Sequence, residues 1–163
     1  MGGPDQVTRR PAVGDSDPAT LVGIAARVFP LVYFGSELME VAQGNFSTAR
    51  LPLAYIGEAG ISLTVIGLYV VQRPRIGLLG PYGALAYAYS FMFFASTVVY
   101  ALAAESKNWT AVTNLFGGRL TLHGAIRVIG GIAFGLAVIK TAVLPCWSGA
   151  CITIGVVLVT AAA

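Results

Sequence analysis

The chain has 163 residues, 56% of them hydrophobic and only 10% charged, with a mean hydropathy of +0.78. Soluble domains average roughly 25% charged residues, and a small one has too much surface to hide so much apolar side chain, so the composition excludes a water-soluble globule and predicts one compact membrane domain, an all-α helical bundle. The net charge of +3 comes from scattered basic residues, which form no patch for a nucleic acid.

Residues 1–17 hold Gly, Pro and Asp with almost no apolar run, the composition of a disordered tail. No apolar core follows Arg9 and Arg10 directly and no small-residue cleavage site is evident, so the first hydrophobic segment is expected to insert and stay. Span one covers residues 18–42. Asp17-Pro18 is a strong helix start, with Asp as N-cap and Pro at the first helical position. Arg27, Glu37 and Glu40 interrupt this span, and Pro30 should kink it. An amphipathic helix lying in the interface is the alternative to crossing.

A short polar loop, residues 43–50, leads to span two, residues 51–71, whose one charge is Glu58. Gln72-Arg-Pro-Arg ends it sharply. Span three, residues 76–104, has 29 residues without a charge, well beyond the roughly 20 that cross a hydrocarbon core. Tyr82, Tyr87, Tyr89 and Tyr100 give it an aromatic face, and tyrosines near its ends suit the interfacial belt. In the polar stretch 105–119, Trp109 and Phe116 suggest a segment lying on the membrane surface. Span four, residues 120–140, contains Arg127. Span five, residues 144–163, follows a break at Pro145 and Gly149. A single helix from Val128 to Ala163 would be about 54 Å long, too much for one crossing; a four-span reading would make this pair one long kinked element.

With five spans, Arg9, Arg10, Arg73, Arg75 and Lys140 fall on one side, with Arg27 near them, and Arg50, Lys107 and Arg119 on the other. The positive-inside rule then predicts a cytoplasmic N-terminus. A faint echo links Gly67-Leu68, Arg73 and Gly77 to Gly135-Leu136, Lys140 and Gly149. Both read as helix, basic turn, helix, as in duplicated helix pairs, and chance gives the same look.

Glu58 and Arg127 each lie seven residues into their spans from the predicted outer side, about 10 Å down by the helical rise. Equal depth and opposite charge predict contact, because a mid-membrane Arg costs on the order of 3 kcal/mol unless paired or wet. Glu37 lies near the outer end of span one, and Ser96 and Thr97 reach a similar level. Glu37, Glu58 and Arg127 are therefore the candidate ligand-binding residues. They could form an outward-facing polar pocket that binds a polar or charged ligand or relays protons. Glu58 and Arg127 could instead be a buried ion pair that does no more than fix helix register.

Other chemistry is thinly supplied. Glu37 and Glu40 share a helix face and could join His123 and Glu58 around a metal, or form a solvated acidic helix end. His123 could ligate a haem, but no second axial group is evident, so no cofactor is assigned. Cys146 and Cys151 are spaced five apart, which is not the redox Cys-x-x-Cys spacing. Asn45-Phe-Ser and Asn108-Trp-Thr match the glycosylation acceptor pattern, which is common by chance. Gly57 and Gly60 on span two, and Gly124, Gly130, Gly131 and Gly135 on span four, would let these two helices approach closely, or would make span four a homodimer seam.

Val143-Leu-Pro-Cys-Trp-Ser-Gly with its terminal apolar helix resembles small multi-pass membrane proteins of actinobacterial type, in which a basic turn precedes Leu-Pro-x-Trp-x-Gly. Arg75-Ile-Gly-Leu-Leu-Gly-Pro-Tyr-Gly-Ala has a similar flavour. The resemblance covers most of the chain from Leu51 onward. It implies a bacterial inner membrane and a helical bundle, and carries no functional residues. The expected function is that of a non-enzymatic membrane subunit or homo-oligomer. The alternative is a binding or transport module around Glu58 and Arg127. The expected partners are the lipid bilayer, a second copy or a membrane-complex protein.

Overall fold

The computed structural model describes residues 17–44, 46–47, 49–73 and 75–162, with side chains as far as residue 158. Residues 1–16 of the proposed tail and Asn45 lie outside the described residues. Among the described residues six helices follow one another: α1 (Pro18–Gln43), α2 (Arg50–Gln72), α3 (Leu79–Ala103), α4 (Trp109–Phe116), α5 (Gly118–Thr141) and α6 (Cys146–Ala162). The chain is an all-α membrane bundle: α1, α2, α3 and α5 are each long and apolar enough to cross a membrane. The 17 residues of α6 span about 25 Å and are also apolar.

Local chemistry sets the ends. Asp17 caps α1 by accepting from the Ala19 N–H at 3.2 Å, with Pro18 at the first position. Gly44 stops α1 in the left-handed conformation, at φ 70°, and its N–H donates to the Glu40 carbonyl. The helix runs without a break through Pro30. Span three starts later than its apolar run suggests. Residues 76–78 are a turn, with Gly77 at φ 62°, and the helix begins at Leu79. Between α5 and α6 the chain reverses at Ala142, which is left-handed, so these are two helices and not one kinked element. Asn108 caps α4 by accepting from the Ala111 N–H.

The helices pack in chain order: α1 on α2, α2 on α3, α3 on α5 and α5 on α6. Glycines set the close approaches, and their partners differ from the sequence expectation. A Cβ on Gly57 would lie 2.8 Å from the backbone of Tyr33, and one on Gly60 would enter the Phe29 ring, so the α2 glycines seat α1. Gly130 faces Tyr87 and Ala86 of α3, while Gly131 and Gly135 face Val156 and Thr153 of α6. Span two and span four do not close on each other, because α3 lies between them.

Two apolar cores form, one towards each end. Leu51, Ala54, Val98, Ala101 and Val112 pack with Phe46, Trp109 and Phe116 at the end that carries Arg50. Val65, Ile76, Ala84, Ala88, Phe134, Ala137 and Val138 pack towards the end that carries Arg73. There the Thr141 hydroxyl donates to the Gln72 side-chain carbonyl at 3.1 Å, joining the ends of α5 and α2.

Candidate functional site

The charged side chains of the Arg50 end form a descending string. Arg50 opens α2 and is only 1% exposed. Its Nη2 donates to Glu37 Oε1 at 3.2 Å and is ion-paired with Glu40 Oε2, so two carboxylates one helical turn apart on α1 grip one guanidinium. The guanidinium also sits 4.7 Å from the Phe46 ring centre and 5.9 Å from that of Trp109. Those two rings meet edge to face, and the Phe46 N–H donates to the Lys107 carbonyl, tying the two loops of this end together. A guanidinium between aromatic faces and carboxylates is a strongly held cation.

Below it stands Glu58, eight residues further along α2 and so about 12 Å deeper. It is 4% exposed, and its Oε2 is buried with no hydrogen-bond partner among the described residues. Tyr33 is the α1 residue against which Gly57 packs, so the phenol-bearing residue and Glu58 occupy one level. Arg127, nine residues into α5, comes to a similar depth. Its guanidinium lies 4.2 Å from the Phe91 ring centre and 5.5 Å from that of Phe94. Arg127, Arg50 and Glu37 all act electrostatically on Glu58, and Arg127 also acts on Tyr33 and Tyr87.

The chain matches no protein-family model, no curated protein and no solved structure.

Its site therefore rests on geometry alone. The three sequence candidates converge on one string, but two of them do not touch. Among the described residues the ion pairs are Arg50–Glu37 and Arg50–Glu40, and none joins Glu58 to Arg127. The expected ion pair does not form: the Arg127 guanidinium turns to the Phe91 and Phe94 rings and towards the Tyr33 hydroxyl of α1 instead. Arg50 and Glu40, read from sequence as loop charge and helix end, are the residues that complete the string. The signal was present: two acids three apart near a helix end, then Phe46, then an Arg at the next helix start.

The remaining candidates disperse. His123 lies against Phe93, ring centres 3.5 Å apart and nearly parallel. Its Nδ1 is 2.7 Å from the Arg119 carbonyl, which can only accept, so that nitrogen carries the proton. Nε2 then faces the Tyr89 hydroxyl at 3.1 Å. The ring is thus held away from Glu37 and Glu40, which are spent on Arg50, and no three metal-ligating side chains gather among the described residues. Cys146 and Cys151 are free and exposed. Two apolar surface grooves, one between α1 and α2 and one between α3 and α5, are lined by neither Glu58 nor Arg127.

Proposed function

We propose that this is a non-enzymatic multi-pass membrane protein of five crossings whose charged string is a one-sided proton-exchange site with Glu58 at its deep end. The carrying observation is Glu58 itself, a buried carboxyl with an unpartnered oxygen beside a cation that does not pair with it. The string holds three carboxyls, Glu37, Glu40 and Glu58, against two guanidiniums, Arg50 and Arg127. With all five ionised it carries one uncompensated negative charge, which a low-dielectric surrounding penalises heavily. One proton removes that charge. By proximity the excess lies with Glu37 and Glu40, which share one guanidinium, so the choice of Glu58 as the exchanging group rests instead on its burial, its unpartnered oxygen and its lack of an ion pair. A proton needs no cavity, which suits a string that lines neither of the two apolar grooves. Glu40 and Glu37, partly exposed, lead from the Arg50 surface towards it. Intramembrane carboxyls on such paths are the usual stuff of proton relays.

The basic residues orient the site. Arg73, Arg75 and Lys140 lie at the far end, whereas Arg50 at the near end is buried between two acids. Both facts agree with a cytoplasmic N-terminus and a string that opens outward.

Sealed vesicles with uniformly oriented protein test this reading. Acidifying the Arg50 side should load about one proton per chain more in the wild type than in Glu58→Gln, read with a pH-indicator dye. Equal uptake by the two proteins, or equal loading from the Arg73 side, would sink it.

A second reading rests on a different observation. α1 leaves Leu31 68% and Val41 83% exposed, and places Arg27 on the same outward face, three residues after Ile24 and four before Leu31. Such a face suits a subunit of a larger assembly or a homo-oligomer. A mass measurement in mild detergent separates a lone chain from either.

A further inference from the structure

We infer that the groove between α3 and α5 binds an anionic phospholipid, with one acyl chain in the groove and the phosphate at Lys140 and Arg75. The groove has a volume of about 330 Å³ and is walled by Leu78, Leu79, Tyr82 and Ala86 of one side and Ile129 and Ala133 of the other. Its wall is apolar and opens outward, where Leu78, Tyr82 and Ile129 are exposed. From Leu78 to Ala86 it runs about 12 Å along the helix axis.

Helix register fixes what lies at its mouth. Gly83 packs on the backbone of Phe134, and Gly130 on that of Tyr87, so α3 and α5 are antiparallel with these residues level. Val138 is therefore level with Leu79, where α3 begins, and Lys140 lies two residues further out, at the end of the groove where the turn of residues 75–78 leads into α3. Arg75 opens that turn, and its neighbour Ile76 packs in one core with Val138. Lys140 also follows Ile129 and Ala133 by eleven and seven residues, the spacing of one helix face. Both basic side chains are exposed, and neither joins an ion pair among the described residues. Asp17, the acidic residue at this end among the described residues, caps α1, with α2 packed between α1 and α3. The mouth is thus a pair of cations at the edge of the apolar zone, above a channel of chain width. An anionic headgroup and its acyl tail complement both parts at once.

A second copy fits less well. A two-fold contact through this groove would set Lys140 and Arg75 against the same cations of the other chain.

Native mass spectrometry of the full-length protein, titrated with phosphatidylglycerol or with phosphatidylcholine of identical acyl chains, tests the site. The wild type should retain phosphatidylglycerol about 30-fold better, as expected for two juxtamembrane cations. The double variant Arg75→Gln/Lys140→Gln should lose that preference and keep its phosphatidylcholine retention. Ala133→Phe, which fills the groove, should lower retention of both lipids, with circular dichroism confirming its helix content. Equal retention of the two lipids by the wild type overturns the proposal, as does a preference that survives the double charge variant. A chain dimer that Ala133→Phe dissociates, with no lipid bound, overturns it too. This site stands apart from Glu58, and either can fail without the other.

Discussion

Arg50 and Arg127 meet the same difficulty in different ways. Both are cations on helices that pack in an apolar bundle. Arg50 is closed in by two carboxylates and two aromatic rings, and its environment leaves it nothing to do but hold α1 to α2. Arg127 rests on the faces of Phe91 and Phe94 and acts on Glu58 across a gap, without closing an ion pair. A cation held by ring faces and a neutral phenol leaves the nearby carboxyl free to change its charge, whereas a clamped cation fixes its partners. On the proposed function the first arrangement is a working site and the second a fastening.

The sharpest break of this comparison is to strand Arg50. The double variant Glu37→Gln/Glu40→Gln leaves a 1% exposed cation without a counter-charge, and should cost roughly 3–5 kcal/mol, the range for breaking a buried pair. Reversible unfolding in sodium dodecyl sulfate, followed by circular dichroism, would measure it. A loss below about 1 kcal/mol would make the clamp an ordinary surface pair. The converse variant, Arg50→Met, should cost less, because Glu37 keeps 41% exposure and Glu40 24%.

Next in size come the helix seams that hold the two arginines apart. Gly83→Ala and Gly130→Ala each place a Cβ within 2.7 Å of a backbone nitrogen on the facing helix, and should cost about 1–3 kcal/mol. Gly124→Ala, where a Cβ meets open space, should cost nothing and can gain up to about 1 kcal/mol of helix propensity. The same unfolding assay distinguishes the two cases.

Thr141→Val removes the hydroxyl that reaches Gln72 and should cost about 1 kcal/mol. Because that link lies at the opposite end from both Arg50 and Glu58, the variant should leave proton uptake at its wild-type level. Glu58→Gln should also cost little, about 1 kcal/mol, since the amide keeps the shape and breaks no ion pair. Its effect on proton uptake should nonetheless be the largest of the set.

Much of this architecture was legible in the residues. Long apolar runs bounded by Asp17-Pro18, Arg73 and Lys140 mark helix ends because lipid leaves a backbone no other way to pair its polar groups. Glu58 and Arg127 stood out because charge in such a run is costly. Depth along a helix can be counted, so their shared level was readable. Which helices are neighbours cannot be counted. Gly57 and Gly130 each announced a close approach, but a missing side chain does not name what fills the space, and the partners proved to be Tyr33 and Tyr87. Arg50 was hidden for a different reason. At a loop–helix junction an Arg is ordinarily solvated, and only the fold shows that Phe46 and Trp109 close over it.

The claim that the unclamped carboxyl is the working group meets its most direct test in the infrared difference spectrum of the protein in a bilayer, recorded across a pH step. A protonated carboxyl stretch should appear on acidification in the wild type and in Glu37→Gln, and should be missing in Glu58→Gln. If the band persists in Glu58→Gln, or vanishes in Glu37→Gln instead, the exchanging proton sits in the clamp and the assignment of the two arginines is reversed.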